Sequence, residues 1–279
     1  MIHHILVPVD GSPNSSIALD YGLYLAPRFS ASLTGLYVID IYLIQGPVLT
    51  DISGAVGMPP YDGFFEAVET TLVEKAEAIL MDFKTRCGQA GVACGVKKNI
   101  GRIPDVIIEE SREVDWIVMA KKGEHFHLKE GGLLGSVAEA VVRKSGKPVL
   151  ITPERFIEIE SMGLAFDGSE SARKALDLSL GISEQAAWPL TVIMINMQGG
   201  RAVELTAAVE DAAQEKNVDC EVIQLSGKEP EEILNFIRQG SVELMVMGAY
   251  GHNRLRQLFL GSTTSQVLSR SPVPVLLTR

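Results

Sequence analysis

The segment MGAYGHNRLRQLFLGST, residues 247–263, contains residue types suited to holding a phosphate group. Gly248 and Gly251 follow an apolar run, and without a Cβ they can take positive φ and let a ligand approach the main chain. Gly261 precedes a predicted helix, whose unpaired N–H groups and dipole attract an anion. The next two residues add hydroxyl donors at the same point. The segment therefore favours a di- or triphosphate over an isolated carboxylate.

Predicted strands and helices alternate around this segment and would position it. Such an alternation predicts a parallel sheet with helices on both faces, because the crossovers are right-handed and pack back onto the sheet. Ligands of such sheets bind beyond the carboxyl ends of the strands, where the strand order reverses, and we expect Gly248 to end a strand there. In the second half the predicted strands are 161–166, 190–196, 218–225, 243–248 and 273–278, and the predicted helices are 171–183, 202–216, 229–240 and 262–270.

The two halves of the chain are an internal sequence repeat. Residues 135–152, GSVAEAVVRKSGKPVLIT, align without a gap with residues 261–278, GSTTSQVLSRSPVPVLLT. The predicted domains are therefore 1–152 and 153–279, each an open, Rossmann-like, five-stranded parallel sheet with helices on both faces. Residues 41–65 are rich in Gly and Pro and lack a counterpart in the second half. They predict a surface loop. This loop is either a lid or contact arm, or an insertion without a function of its own.

Composition narrows the class of protein. The 279 residues are 46% hydrophobic and carry 25 basic against 35 acidic side chains, a net charge of −10 without a long basic run. A nucleic-acid partner is therefore not expected. Apolar runs fall short of the about 20 residues that a membrane span needs, so no membrane association is expected. The start resembles no secretion signal, and three cysteines without CxxC spacing fit a reducing cytosol, so we expect a cytoplasmic protein.

The glycine spacing resembles a known family. The pattern G-x2-G-x9-G-[ST], formed by residues 248, 251, 261 and 262, is similar to the nucleotide-binding motif of the universal stress protein family. The similarity extends to FDGSE after the first strand of the second half, EPEEIL before its fourth strand and PVLL at its end. The chain is thus identified as a tandem member of this family with the motif of its ATP-binding subclass. The resemblance implies a stress-response sensor or regulator that binds an adenine nucleotide, ATP or AMP, mainly in its second half. Magnesium is expected with ATP, because a bare polyphosphate at a site that contains a carboxylate benefits from a bridging cation.

The same resemblance implies which residues contact the nucleotide. By position, Asp167 would contact the adenine end and Ile195 would line the base and ribose pocket. Met247 and His252 would be wall residues. The residues implied at the ribose and phosphates are those of the motif: Gly248, Gly251, Gly261, Ser262 and Thr263.

Two of these features also have purely structural interpretations. The sequence DGSE fits a helix N-cap at Asp167 with Glu170 three residues later. Ser262 and Thr263 fit ordinary helix-start residues.

The first half departs from the motif. Ala120 replaces the first glycine, eleven residues rather than nine separate Gly123 from Gly135, and the second hydroxyl is replaced by Val137. The added methyl group and the longer loop predict a degenerate site in this half. The site positions that the first half keeps are Asp10, Val38 and Ser136.

The longer loop of the first half also raises the question of a metal site. Its sequence GEHFHLKE places Glu124, His125, His127 and Glu130 within seven residues. Two histidines two residues apart can chelate zinc, but a fourth ligand is not evident. A solvated polar loop is the favoured interpretation, and no metal site is predicted.

Catalytic signatures are sparse. The sequence contains neither a Walker A lysine nor HExxH, so no catalytic residue is assigned and at most slow ATP hydrolysis is expected. One alternative is a nucleotide hydrolase or adenylyl-transferring enzyme, which fast ATP turnover would reveal. Another is a ligand-free dimerising scaffold, which would bind no nucleotide.

The last strands of the two halves predict how these halves associate. KPVLIT and VPVLLT are short, apolar and terminal, and each would leave an exposed sheet edge that pairing satisfies. We therefore expect an intramolecular pseudo-dimer of the two domains. Whether full chains also form a homodimer stays open.

Overall fold

Strands and helices alternate along the chain in the computed structural model, which describes residues 2–42, 62–124, 134–240, 242–249 and 260–279. The strands are β1 His4–Pro8, β2 Ser32–Asp40, β3 Cys94–Gly101, β4 Trp116–Ala120, β5 Val149–Thr152, β6 Met162–Ala165, β7 Leu190–Ile195, β8 Cys220–Leu225, β9 Leu244–Gly248 and β10 Val275–Thr278. The helices are α1 Pro13–Phe29, α2 Asp62–Gln89, α3 Ile103–Glu110, α4 Ser136–Lys144, α5 Glu170–Ala186, α6 Gly199–Glu215, α7 Glu229–Arg238 and α8 Ser262–Arg270.

These strands form one sheet in the order β3-β2-β1-β4-β5-β10-β9-β6-β7-β8. Neighbouring strands are parallel within each half. The halves meet where β5 and β10 pair antiparallel, with Leu150 opposite Leu276. The predicted fold class, two tandem Rossmann-like parallel sheets of five strands, is confirmed. The two sheets are continuous with each other through the β5–β10 ladder.

Helices cover both faces of the sheet. Buried side chains of α1, α2, α5 and α6 pack against one face, and this core runs through both halves of the chain. Buried side chains of α3, α4, α7 and α8 pack against the other face. The central strands are apolar almost throughout, as expected for strands that are covered on both sides.

The helices that follow β1 and β6 begin at serine caps. The Ser12 side chain accepts a hydrogen bond from the Ser15 amide, and the Ser169 side chain accepts one from the Ala172 amide at 3.2 Å. The interpretation of Asp167 as the N-cap is therefore wrong. The cap lies two residues later because it is the Ser169 hydroxyl that reaches the first turn of α5.

Two tyrosines of α1 hold the segment that connects the halves. The Tyr21 hydroxyl accepts a hydrogen bond from the Ile157 amide at 3.1 Å. The Tyr24 hydroxyl donates to the Ile159 carbonyl at 2.7 Å and accepts from the Ile159 amide at 3.0 Å. Phe156 packs on the Tyr21 ring, with ring centroids 4.8 Å apart. The connection is therefore tied to the first half along residues 156–159.

Removing one of these hydroxyls tests how much the hydrogen bonds between α1 and the connecting segment stabilise the fold. We expect Tyr24→Phe to lower the free energy of unfolding by about 1–2 kcal/mol, because both polar backbone groups of Ile159 lose their partner. Urea unfolding of the full chain measures this change. An unfolding midpoint equal to that of the parent would contradict the role of the hydroxyl.

Several predicted features lie outside the described residues. They are most of the 41–65 insertion, the residues His125, His127 and Glu130 of the polar loop, and the motif residues Gly251 and His252.

Candidate functional site

The predicted site lies where the strand order reverses in the second half. Strand β6 has β7 on one side and β9 on the other, with Ala165 of β6 opposite Met247 of β9. Asp167 follows β6 by two residues, and Gly248 is the last residue of β9. The structure therefore brings Asp167 and Gly248 to the same crevice at the carboxyl edge of the sheet, the usual place of ligands in such folds.

A glycine is required at position 248 because a helix packs closely against this residue. Its φ is not positive, so the left-handed conformation that a glycine permits is not used at this position. A Cβ at Gly248 would lie 2.7 Å from the Ser171 Oγ and 2.9 Å from the Ser171 carbonyl carbon. The glycine thus lets the first turn of α5 pack against the end of β9. Sequence reasoning missed Ser171, since nothing local to residue 248 points to it.

Asp167 forms a turn that leads into α5. One of its carboxylate oxygens accepts a hydrogen bond from the Ser169 amide at 2.9 Å. Its main-chain carbonyl accepts from the Arg201 guanidinium of α6 at 3.3 Å. Both contacts hold the loop after β6 in place, and the Ser169 amide orients the carboxylate from within its own turn.

The N-terminus of α8 follows Gly261, as predicted. Gly261 has φ −56° and ψ 145°, an extended conformation open to any residue, and it supplies no side chain to cap the helix. Ser262 is exposed and Thr263 is half-buried in the first turn. The first N–H groups of α8 and the Ser262 hydroxyl are the anion-binding groups that this site offers.

The Thr263 hydroxyl is oriented differently from the expectation. Its Oγ1 donates a hydrogen bond to Oε2 of Glu229, at the start of α7, at 3.2 Å. A hydroxyl has one hydrogen to donate, so Thr263 must release Glu229 before it can donate to a phosphate. Glu229 was not identified from the sequence, although three acidic residues in the first turn of α7 marked that helix start.

Ile195 and Met247 flank the crevice in different ways. Ile195 ends β7, opposite Leu225 of β8, and is partly buried. Met247 is only 4% exposed and belongs to the core beneath α7 and α8. Direct contact of either residue with a ligand remains a prediction.

The loops after β7 and β8 are joined beside this crevice. Asn196 has a positive φ of 56°, and its side-chain amide donates to the Gly227 carbonyl at 2.7 Å. The Gly227 amide donates back to the side-chain oxygen Oδ1 of Asn196 at 3.0 Å. This pair was missed from the sequence. The signal was an asparagine, which tolerates the left-handed region, directly after a strand.

The equivalent crevice of the first half contains a segment of the chain itself. The Asp10 carboxylate accepts hydrogen bonds from the Ser12 amide at 2.9 Å and from the Glu124 amide at 2.8 Å. A Cβ at Gly123 would lie 2.8 Å from Asp10, so the main chain approaches this carboxylate closely. The Glu124 carboxylate forms a salt bridge with Lys75 of α2, with Nζ of Lys75 2.6 Å from Oε1 of Glu124.

These contacts determine the charge state of Asp10. Burial raises the pKa of Asp10, but the hydrogen bonds from Ser12 and Glu124 outweigh it and lower the pKa below 3.8. Because the folded-state pKa is lowered, the stabilisation is present above pH 3.8 and is lost as the pH falls through the folded value.

We expect Asp10→Asn to reduce the free energy of unfolding by about 1–2 kcal/mol near neutral pH, because amide groups then face a neutral acceptor. The difference between parent and variant should shrink as the pH falls below 3.8. Urea unfolding at a series of pH values measures it. A difference that stays constant or grows towards acid pH would contradict this assignment.

In the part of the chain that the structure describes, no group of three or more His, Cys, Asp or Glu side chains is gathered as a metal-ligand set. Among the same residues, no helix has the length and apolar character needed to cross a membrane.

Comparisons with known proteins agree with this architecture. The model of the universal stress protein family matches residues 1–153 and again residues 158–279. A universal stress protein of Synechocystis is 30% identical over 287 residues, which cover 98% of each chain. One of Mycobacterium tuberculosis is 24% identical over 305 residues, covering 99% of this chain and 97% of the relative.

A solved structure shows the same fold. The crystal structure of a universal stress protein from Archaeoglobus fulgidus superposes with a TM-score of 0.77, at 24% identity, over 99% of this chain and 96% of the other. Two successive matches to one family model, together with a relative that is similar over nearly its full length, establish the relationship. The chain belongs to the universal stress protein family and carries two copies of the family's domain in tandem.

Proposed function

We propose that this chain binds an adenine nucleotide, ATP or AMP, in its second domain and acts as a nucleotide-responsive sensor or regulator in a stress response. The observation that carries the proposal is the crevice between β6 and β9. There the Asp167 carboxylate, the end of β9 at Gly248 and the start of α8 at Gly261 belong to one carboxyl edge of the sheet.

The groups of this crevice suit the parts of a nucleotide. Asp167 is placed to accept a hydrogen bond from an adenine amino group or a ribose hydroxyl. The N–H groups at the start of α8 and the Ser262 hydroxyl are donors for phosphate oxygens, and the helix dipole favours the negative charge. The residues Gly251 and His252 of the motif complete the proposed site.

Glu229 favours a ligand that carries a divalent cation. Its carboxylate lies 3.2 Å from the Thr263 hydroxyl, beside the start of α8, where a bare polyphosphate would be repelled. Magnesium bound by phosphate oxygens offsets this repulsion. We therefore propose that ATP binds as its magnesium complex, whereas AMP, with fewer charges, depends less on the cation.

The first domain is proposed to bind nucleotide weakly or not at all. In that domain the Glu124 amide occupies one oxygen of the Asp10 carboxylate, and Lys75 anchors Glu124 from α2. A nucleotide would have to displace these contacts. We propose the second domain as the main site because its glycine motif is intact.

The remaining parts of the proposal concern assembly and place of action. The antiparallel pairing of β5 with β10 supports an intramolecular pseudo-dimer of the two domains. We propose a cytoplasmic protein whose hydrolysis of ATP, where it occurs, is slow.

The decisive experiment is mass spectrometry of nucleotide released from gently purified protein, followed by calorimetric titration with ATP and AMP, each with and without magnesium. We expect ATP or AMP in the released fraction, and saturable binding of the same nucleotide. Fast phosphate release from ATP would favour the hydrolase alternative. Failure of both nucleotides to bind would favour the ligand-free scaffold and overturn the proposal.

A further inference from the structure

Two of the three cysteines meet in the first domain. Cys87 lies in the last turn of α2 and is completely buried, and Cys94 begins the edge strand β3 and is partly exposed. The Val92 amide donates to the Cys87 carbonyl at 2.9 Å, which folds the short connection back on the end of the helix. Cys94 packs against the hydrophobic core that contains Cys87, and the two thiols are close enough to interact electrostatically.

The second domain repeats this geometry with one thiol removed. There the Val218 amide donates to the Ala213 carbonyl at 2.9 Å, as Val92 does to Cys87. Cys220 begins β8 opposite Leu190, as Cys94 lies opposite Leu33. Ala213 is therefore the counterpart of Cys87, and Cys220 faces an alanine in place of a second cysteine.

We propose that Cys87 and Cys94 form a reversible disulfide when the protein meets a small-molecule disulfide such as glutathione disulfide. The Cys94 thiolate attacks the oxidant, forming a mixed disulfide and releasing one glutathione thiolate. Cys87 then loses its proton and attacks the Cys94 sulfur, which releases the second glutathione. Two protein thiols are oxidised to one disulfide, and one external disulfide is reduced to two thiols.

Burial assigns the order of these two steps. Burial, together with the interaction with Cys94, raises the pKa of Cys87 to about 12, so Cys87 is a poor first nucleophile. Cys94 is accessible from solvent and meets the oxidant first. Proximity of the two sulfurs then compensates for the low thiolate fraction of Cys87, because the second step is intramolecular. Its rate should rise with pH, since more of Cys87 is ionised.

The test treats the full chain with glutathione disulfide at mildly alkaline pH, alkylates the remaining thiols under denaturing conditions and measures the intact mass. We expect the parent to lose two hydrogen atoms and to take up a single alkyl group, at Cys220. Cys220→Ala, which keeps only the proposed pair, should take up none. Dithiothreitol should restore alkylation in both proteins.

Two variants separate a disulfide from simple glutathionylation. Cys87→Ala should retain one glutathione on Cys94, because nothing resolves the mixed disulfide. Ala213→Cys should gain a second disulfide, to Cys220, because it recreates the pair in the other domain. Full alkylation of Cys87 and Cys94 in oxidised Cys220→Ala, or a lasting glutathione adduct on its Cys94, would overturn the proposal.

Discussion

Gly261→Val is expected to weaken binding of the magnesium complex of ATP by about a hundredfold or more, corresponding to about 2.7 kcal/mol. The side chain would stand where phosphate oxygens approach the first N–H groups of α8. Each charge-assisted hydrogen bond lost there costs about 1.5–3 kcal/mol. Calorimetric titration of the parent and the variant measures the loss.

This variant isolates binding because the fold tolerates a side chain at position 261. Gly261 has an extended conformation, and among the residues that the structure describes a Cβ there would meet only the Thr264 hydroxyl, at an ordinary 3.7 Å. Gly248 is unsuitable for the same test, because a Cβ would lie 2.9 Å from the backbone of Ser171 and disturb the fold itself. Gly146→Val is the matched control, since a Cβ at Gly146 meets nothing within 4 Å. Equal ATP affinity in parent and Gly261→Val would remove the main support for the site.

A single nucleotide per chain, held in the second domain, is the second expected result. The two domains share one fold, so the effects of the fold itself on ligand binding are largely the same in both. They differ in sequence, because Ala120 and Val137 of the first domain replace Gly248 and Thr263 of the second. In the first domain the Asp10 carboxylate also accepts a hydrogen bond from the Glu124 amide, and Lys75 binds the Glu124 side chain. A ligand of the first domain must break these contacts. The first serine of the helix is exposed in both domains, Ser136 in α4 and Ser262 in α8.

Matched serine variants distinguish the two domains. Ser262→Ala should weaken ATP binding about tenfold, the effect of one hydrogen bond of about 1.4 kcal/mol. Ser136→Ala, at the equivalent first position of α4, should leave affinity and stoichiometry unchanged. Two equal sites, or a loss of affinity only in Ser136→Ala, would show that the functional domain is the first one.

The elements that carry the site are predictable from local sequence. The helix expected at 262–270 has the observed bounds of α8, because Gly261 interrupts the preceding segment and the apolar spacing that follows is helical. The strand expected at 243–248 is β9 to within one residue. The expected reversal of strand order places Asp167 and Gly248 together, since parallel topology dictates which strand ends are neighbours.

Contacts between distant parts of the chain were beyond such reasoning. Gly248 was expected to let a ligand approach the main chain, but its lack of a Cβ serves the packing of Ser171 against β9. Thr263 was expected to face a phosphate, but its hydroxyl donates to Glu229 on the neighbouring helix. In both cases the role of the residue depends on a contact with a side chain that is distant in sequence, Ser171 or Glu229. The local sequence around residues 248 and 263 does not predict these contacts.

The β5–β10 ladder has a consequence for how the protein responds to dilution. Two halves on one chain face each other at an effective concentration on the order of millimolar, whatever the amount of protein in the cell. Separate single-domain chains would associate only above their dissociation constant, and the same gene would make both members identical. Covalent linkage removes both restrictions. One domain can then lose a function that the other keeps, and the two domains stay paired at any expression level.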